Sequence, residues 1–193
     1  MTEKQEHLLA HAPAASPAAP SAASDGTAIF EQAEHDHAHC VDQALHVAEA
    51  ICTREGARLT PLRRQVLELV WRSHEPIGAY DVLARLQREV QTDGTDGRPA
   101  APPTVYRALD FLLKHGLVHR IESLNAYVGC AHPQQDHSGQ FLICQECGNA
   151  AEIEDDTISK AIRDNARRIG FTVDRVTVEV SGRCPRCTGA PHA

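Results

Sequence analysis

Two cysteine pairs carry the clearest chemistry in this chain: Cys144-x-x-Cys147 and Cys184-x-x-Cys187. Each pair can present two thiolates to one ion, and two pairs supply a tetrahedral set for Zn²⁺. Four sulfurs leave no position for water, so such a centre is structural rather than catalytic. The surroundings Cys-Gln-Glu-Cys-Gly and Cys-Pro-Arg-Cys are knuckle-like. The same spacing also admits a thioredoxin-like redox pair or two disulfides. The stretch between the pairs is longer than in a simple zinc ribbon, so it must hold folded elements that bring them together.

A second group of ligand types surrounds the first knuckle: His119, Cys130, His137 and Glu152, with His132 as a substitute for His137. It offers nitrogen, sulfur and oxygen donors. A thiolate beside imidazoles favours Zn²⁺ over Fe²⁺ or Mn²⁺. These side chains can meet only where two domains abut. Taken singly, Cys130 also reads as a buried free thiol and His119 as a polar residue of the hairpin. The tract Glu34-His35-Asp36-His37-Ala38-His39-Cys40 is either an auxiliary metal-binding segment or a solvated acidic linker. No H-E-x-x-H occurs, nor an H-x-E paired with P-C-x-x-C, and no nucleophile motif compensates. The expectation is no enzyme and no small-molecule substrate.

The 193 residues suffice for one large domain or two small ones. No apolar run approaches membrane-spanning length and no secretory start is present, so a cytoplasmic protein with reduced thiols is expected. Seven cysteines, an odd count, fit metal ligation better than a disulfide framework. Net charge is −7, but unevenly placed. Residues 1–44 hold seven acidic side chains and only Lys4, whereas residues 45–123 hold eleven Lys/Arg against ten Asp/Glu. The middle segment is therefore the least repelled by phosphate.

The elements that must position these groups follow from periodicity. Residues 10–28 are Ala/Pro/Ser-rich and read as a disordered tail. Leu45, Ala48 and Cys52 fall on one helical face. Thr60-Pro61 supplies an N-cap and a first-turn proline for a helix carrying Leu62, Val66, Leu69 and Val70. Val82, Leu83, Leu86 and Val90 form another stripe, and Gln91 to Arg98 reads as a loop. Pro102-Pro103-Thr104 opens a helix bearing Val105, Leu109, Leu112 and Leu113, closed by Gly116. Residues 117–121 and 126–128 read as a hairpin. Helices followed by such a hairpin predict a winged helix-turn-helix, with the helix before the wing reading DNA. Its exposed side carries Thr104 and Arg107, and Arg suits bidentate contact with guanine. Tyr80 starts the preceding helix, and Arg58, Arg63, Arg64 and Arg72 on the earlier one either position phosphates or are ordinary charged surface residues. Beyond the wing, strands are expected at 140–144, 150–154 and 171–180, with a helix over 158–169.

Several runs carry a family likeness. They are Arg58-Leu59-Thr60-Pro61-Leu62-Arg63, Ala79-Tyr80-Asp81, and Pro102-Pro103-Thr104-Val105-Tyr106-Arg107-Ala108-Leu109-Asp110-Phe111-Leu112. Gly116-Leu117-Val118-His119, Asn125-Ala126-Tyr127-Val128-Gly129-Cys130 and Phe141-Leu142-Ile143-Cys144-Gln145-Glu146-Cys147-Gly148 complete the set. Over roughly residues 45–188 the chain resembles the Fur superfamily, most closely its zinc-uptake regulator branch. The resemblance implies an α+β protein: a disordered tail at 1–44, a winged-helix DNA-binding domain at 45–123, and a zinc-stapled dimerisation domain at 124–193. It implies structural zinc on Cys144, Cys147, Cys184 and Cys187, and regulatory zinc on His119, Cys130, His137 and Glu152, two ions per protomer. It also implies operator contacts by Tyr80 and Arg107, with Thr104, Tyr106 and Arg64 counted beside them. The function implied is a cytoplasmic, homodimeric, zinc-loaded repressor on palindromic double-stranded DNA operators of zinc-uptake genes. The alternatives are a relative sensing iron or peroxide, or a zinc-buffering protein without specific DNA binding. The chain departs from the family pattern in its longer leading segment, its enlarged Gln91–Ala101 loop, and its end soon after Cys187.

Overall fold

Apolar stripes at helical spacing must meet one another, and here four helices close around a single core. The computed structural model describes residues 37–72, 75–92, 101–133 and 138–189. Helix α1 spans His37–Arg54, α2 Pro61–Trp71, α3 Ala79–Thr92 and α4 Pro102–Lys114. Their buried faces supply Leu45, Ala48, Val66, Leu69, Val82, Leu86, Val105, Leu109 and Leu112 to one cluster. Helix α2 begins as the sequence predicts: Thr60 is the N-cap, its hydroxyl accepting from Arg63 N–H at 3.5 Å. Gly116 follows α4 at φ +64°, a left-handed value that Gly adopts without a Cβ penalty.

The wing is a three-stranded antiparallel sheet in the order β1 (Ile77–Gly78), β3 (Ala126–Gly129), β2 (Val118–Ile121). The division expected at residue 123 falls inside the β2–β3 turn. Arg120 pairs with Tyr127 and Ile121 with Ala126, which keeps β3 with the winged-helix unit.

The second unit is a three-stranded sheet, β5 (Ala150–Ile153), β4 (Gly139–Cys144), β6 (Thr177–Gly182), with helix α5 (Asp156–Arg168) and a short helix α6 (Pro185–Thr188). β4 pairs antiparallel with β5 and parallel with β6.

Two sequence expectations need correction. Residues 37–44 are not tail: they form the first turns of α1, because Val41 extends the buried stripe of Leu45 and Ala48. The last strand starts at Thr177 rather than Phe171, because its partner strand begins at Gly139, which pairs with Thr177. The tail to residue 36, the loop core at 93–100 and His137 lie outside the described residues.

Candidate metal centres and nucleic-acid interface

Cys144 ends β4 and Cys147 sits in the turn that follows, while Cys184 and Cys187 flank the start of α6. The parallel pairing of β4 with β6 ends at Cys144 opposite Gly182, which delivers the two knuckles to one place. Their four sulfurs lie within 4.8 Å of one another. Cys147 Sγ and Cys184 Sγ are 3.8 Å apart. Zn–S bonds of about 2.3 Å give tetrahedral edges of about 3.8 Å, so the set fits Zn²⁺. The backbone N–H groups of Cys147 and Cys184 point at Cys144 and hold its thiol down at about 6, with Cys184 N 3.3 Å from the sulfur. Hydrogen bonding to Cys184, then burial, push the Cys187 thiol up to about 12. Thiols crowded into one small volume part with their protons unevenly, and a shared cation relieves that conflict.

The second centre forms where the wing meets the C-terminal sheet. His119 comes from β2, Glu152 from β5, and Cys130 directly follows β3. Their ligand atoms lie within 4.8 Å of one another, with His119 and Cys130 buried. His119 Nε2 is 2.8 Å from Glu152 Oε1. Burial, then the Glu152 charge, push the Cys130 thiol up to about 12. Nitrogen, sulfur and oxygen donors converging out of solvent suit a zinc ion, which displaces the thiol proton on binding. His132, the substitute ligand, has an exposed side chain.

The position of Cys130 is fixed from below. The ring of Trp71 lies so close under Gly129 that any Cβ there would collide with it. A glycine is therefore required one residue before the thiol.

The exposed side of α4 carries Thr104, Tyr106 and Arg107, while Val105, Ala108, Leu109 and Leu112 are buried. Tyr80, at the start of α3, is 71% exposed. Its ring stands edge-to-face with Tyr106, centroids 6.4 Å apart, so the two tyrosines form one exposed aromatic ridge beside Arg107. Among the described residues no carboxylate lies within ion-pair distance of Arg107. Arg64 differs: it is exposed, but its guanidinium is already paired with Glu49 of α1. Arg72 is held likewise by Glu68 and Glu89. Sequence reading missed these partners because both pairs that bridge helices join residues 15 or more positions apart.

A winged helix joined to a thiolate-stapled α+β unit, with a mixed-donor pocket between them, defines a metal-dependent DNA-binding class. The chain belongs to the ferric uptake regulator family, whose model matches residues 54–181. This is a family of regulators, not enzymes. The zinc uptake regulation protein of Escherichia coli K12 is 39% identical over 146 residues, 75% of this chain and 81% of that protein. That of Mycobacterium tuberculosis is 30% identical over 135 residues, 68% of this chain and 95% of its own length. A solved zinc uptake regulator complexed with zinc and DNA superposes with a TM-score of 0.70 at 38% identity, covering 77% of this chain and 95% of that one. The crystal structure of holo XcZur gives 0.67 at 41% identity, covering 76% and 97%. Among the described residues no helix is long and apolar enough to cross a membrane.

Proposed function

We propose that this chain is a zinc-responsive transcriptional repressor, acting in the cytoplasm as a homodimer on palindromic operators of zinc-uptake genes. The observation that carries the reading is the triad His119–Cys130–Glu152, drawn from both units, with His119 and Cys130 buried and Glu152 half-buried. Zinc supplies a cross-link between the units when it binds there. Residue by residue, Cys130 contributes the sulfur that selects a soft ion over iron. His119 and Glu152 contribute one donor from each side of the interface. A fourth donor from the 134–137 segment, His137, would complete the sphere. Cys144, Cys147, Cys184 and Cys187 would hold a second, structural ion.

Fixing the wing against the C-terminal sheet fixes the direction of α4. In a dimer this sets two α4 helices at one spacing, matching successive major grooves. Arg107 would then read a base, with Tyr80, Tyr106 and Thr104 beside it and Arg64 at the margin. The dimer surface in this reading is the uncovered apolar set of Ile162 on α5, Ile169 and Phe171 just beyond its end, and Val180 on β6, all exposed in the single chain. Zinc and operator then strengthen each other's binding by about 1–3 kcal/mol.

The test is operator affinity titrated against buffered free zinc. Wild type should gain affinity as zinc rises. Cys130→Ser should fold, dimerise and keep the structural ion but show no gain. An unchanged response in Cys130→Ser would move the sensor elsewhere, and specific binding indifferent to zinc in wild type would sink the reading.

A further inference from the structure

Three residues of the C-terminal sheet stand in one row across its strands. Phe141 of β4 is in register with Glu152 of β5 on one side and with Glu179 of β6 on the other. Register neighbours project from the same face. The face looks at β2 of the wing. Glu152 meets His119 at 2.8 Å. Phe141 lies edge-on to the His119 ring, centroids 5.3 Å apart, and packs with Ile121 in a buried cluster completed by Ile143 and Ala150. His119 and Ile121 are two residues apart, hence on the same side of β2. The third member, Glu179, takes the end of that strand. Its Oε1 accepts from Glu122 N–H at 2.6 Å and its Oε2 from Ser123 N–H at 3.1 Å.

We infer that Glu179 is a positioning residue for the zinc response: a carboxylate clasp that holds the wing turn against the C-terminal sheet and thereby sets His119 opposite Cys130 and Glu152. This deepens the function proposed above and rests on it.

The physical grounds are specific. Two successive backbone N–H groups form a small concave donor pair, which suits one carboxylate. Charge-assisted bonds of this kind are short and strong. Burial pushes the Glu179 carboxyl up, but the hydrogen bonds from Ser123 and Glu122 more than offset it and leave it below its ordinary value. The clasp and the metal triad grip the same short strand from opposite ends. The apolar contact of Ile121 with Phe141 lies between them. Glu179 needs no metal to hold the turn, so it limits how far the wing swings before an ion arrives. A site already near its closed geometry binds more tightly, because less ordering is left to do.

The experiment uses the full-length dimer with Glu179→Ala and Glu179→Gln, the latter keeping one acceptor oxygen. Both should retain dimer, structural zinc and melting temperature. In Glu179→Ala, operator affinity at an intermediate buffered zinc should fall roughly 5–20-fold, and zinc affinity of the interdomain site should fall in step. Glu179→Gln should lie between. Hydrogen exchange of the Glu122 and Ser123 amides should accelerate in Glu179→Ala. If those amides exchange as in wild type, or zinc affinity is unchanged, the clasp is overturned. If Glu179→Ala loses its dimer, Glu179→Gln is read instead, and loss there too would make Glu179 a folding residue and overturn the inference. Should wild type show no zinc-dependent DNA binding, the functional reading fails by itself, while the amide exchange still decides the clasp.

Discussion

The two units of this chain are stabilised in different ways. The winged-helix unit closes on its own core: α1 to α4 and the wing bury leucines, valines and two isoleucines against one another. Among the described residues, the C-terminal unit contributes Phe141, Ile143 and Ala150 to a buried cluster, which is joined by Ile121 from the wing. No residue of α5 is buried in the single chain. A sheet of three short strands with one uncovered helix cannot bury enough apolar surface to balance its ordering entropy. The lesson is that the first unit is folded by water, whereas the second, in the proposed reading, depends on thiolate ligation and on whatever covers α5. In the proposed function, regulation lies at the seam between the stable part and the dependent one.

The largest break in this contrast should come from the staple. Cys147→Ser should remove on the order of 10 kcal/mol of zinc-linked folding free energy from the C-terminal unit. Calorimetry should then show one transition, that of the winged helix, and size exclusion a monomer. Loss of both transitions together would mean the units are not independently stabilised.

Next come paired core variants. Leu109→Ala removes a fully buried side chain from α4 and should cost about 2–5 kcal/mol in denaturant unfolding of the winged-helix unit. Ile169→Ala removes one that is 82% exposed and should change the single chain by less than about 0.5 kcal/mol, while weakening the dimer. Equal destabilisation by the two would erase the distinction drawn here.

At the DNA face, Arg107→Ala should cost about 1–3 kcal/mol on the specific operator and relax one base position. Arg64→Ala should cost less on any sequence, because Glu49 already matches its charge. Gel shifts on operator and random duplexes separate the two, and equal losses for Arg107→Ala on both would make it a phosphate contact. The smallest effect belongs to the α2 cap. The Thr60 bond to Arg63 N–H is long, 3.5 Å, so Thr60→Ala should cost about 0.5 kcal/mol, the low end for a cap. A cost several times larger would mean that Thr60 does more than cap.

Much of this was legible in the sequence because the signals are local. Thr60-Pro61 starts α2 and Gly116 closes α4, and the apolar stripes fall on the buried faces. The C-x-x-C spacing places both knuckles, whose convergence required only that β4 and β6 lie side by side. What escaped is what depends on pairing at a distance. The register that aligns Glu179 with Phe141, the Glu49–Arg64 pair, and the Tyr80–Tyr106 contact join residues far apart in the chain. The start of the last strand escaped for a different reason. Alternating valines mark a strand that is possible, but the length of the neighbouring strand decides where pairing begins. Residues 37–44 read as tail because a polar, His-rich composition hides the one buried side chain among those described there, Val41, that extends the α1 stripe.

Trp71 is the chain's one tryptophan, and its indole is wedged beneath the residue that precedes the Cys130 thiol. The molecule thus carries a built-in fluorophore against the peptide backbone beside the proposed sensor thiol. A change in ligation at Cys130 reaches the indole through one peptide unit, without label or engineered probe. Emission near that ring, followed during a zinc titration, separates occupation of the seam from filling of the remote four-sulfur staple. Under the proposed assignment the two ions would be counted optically, one visible and one dark.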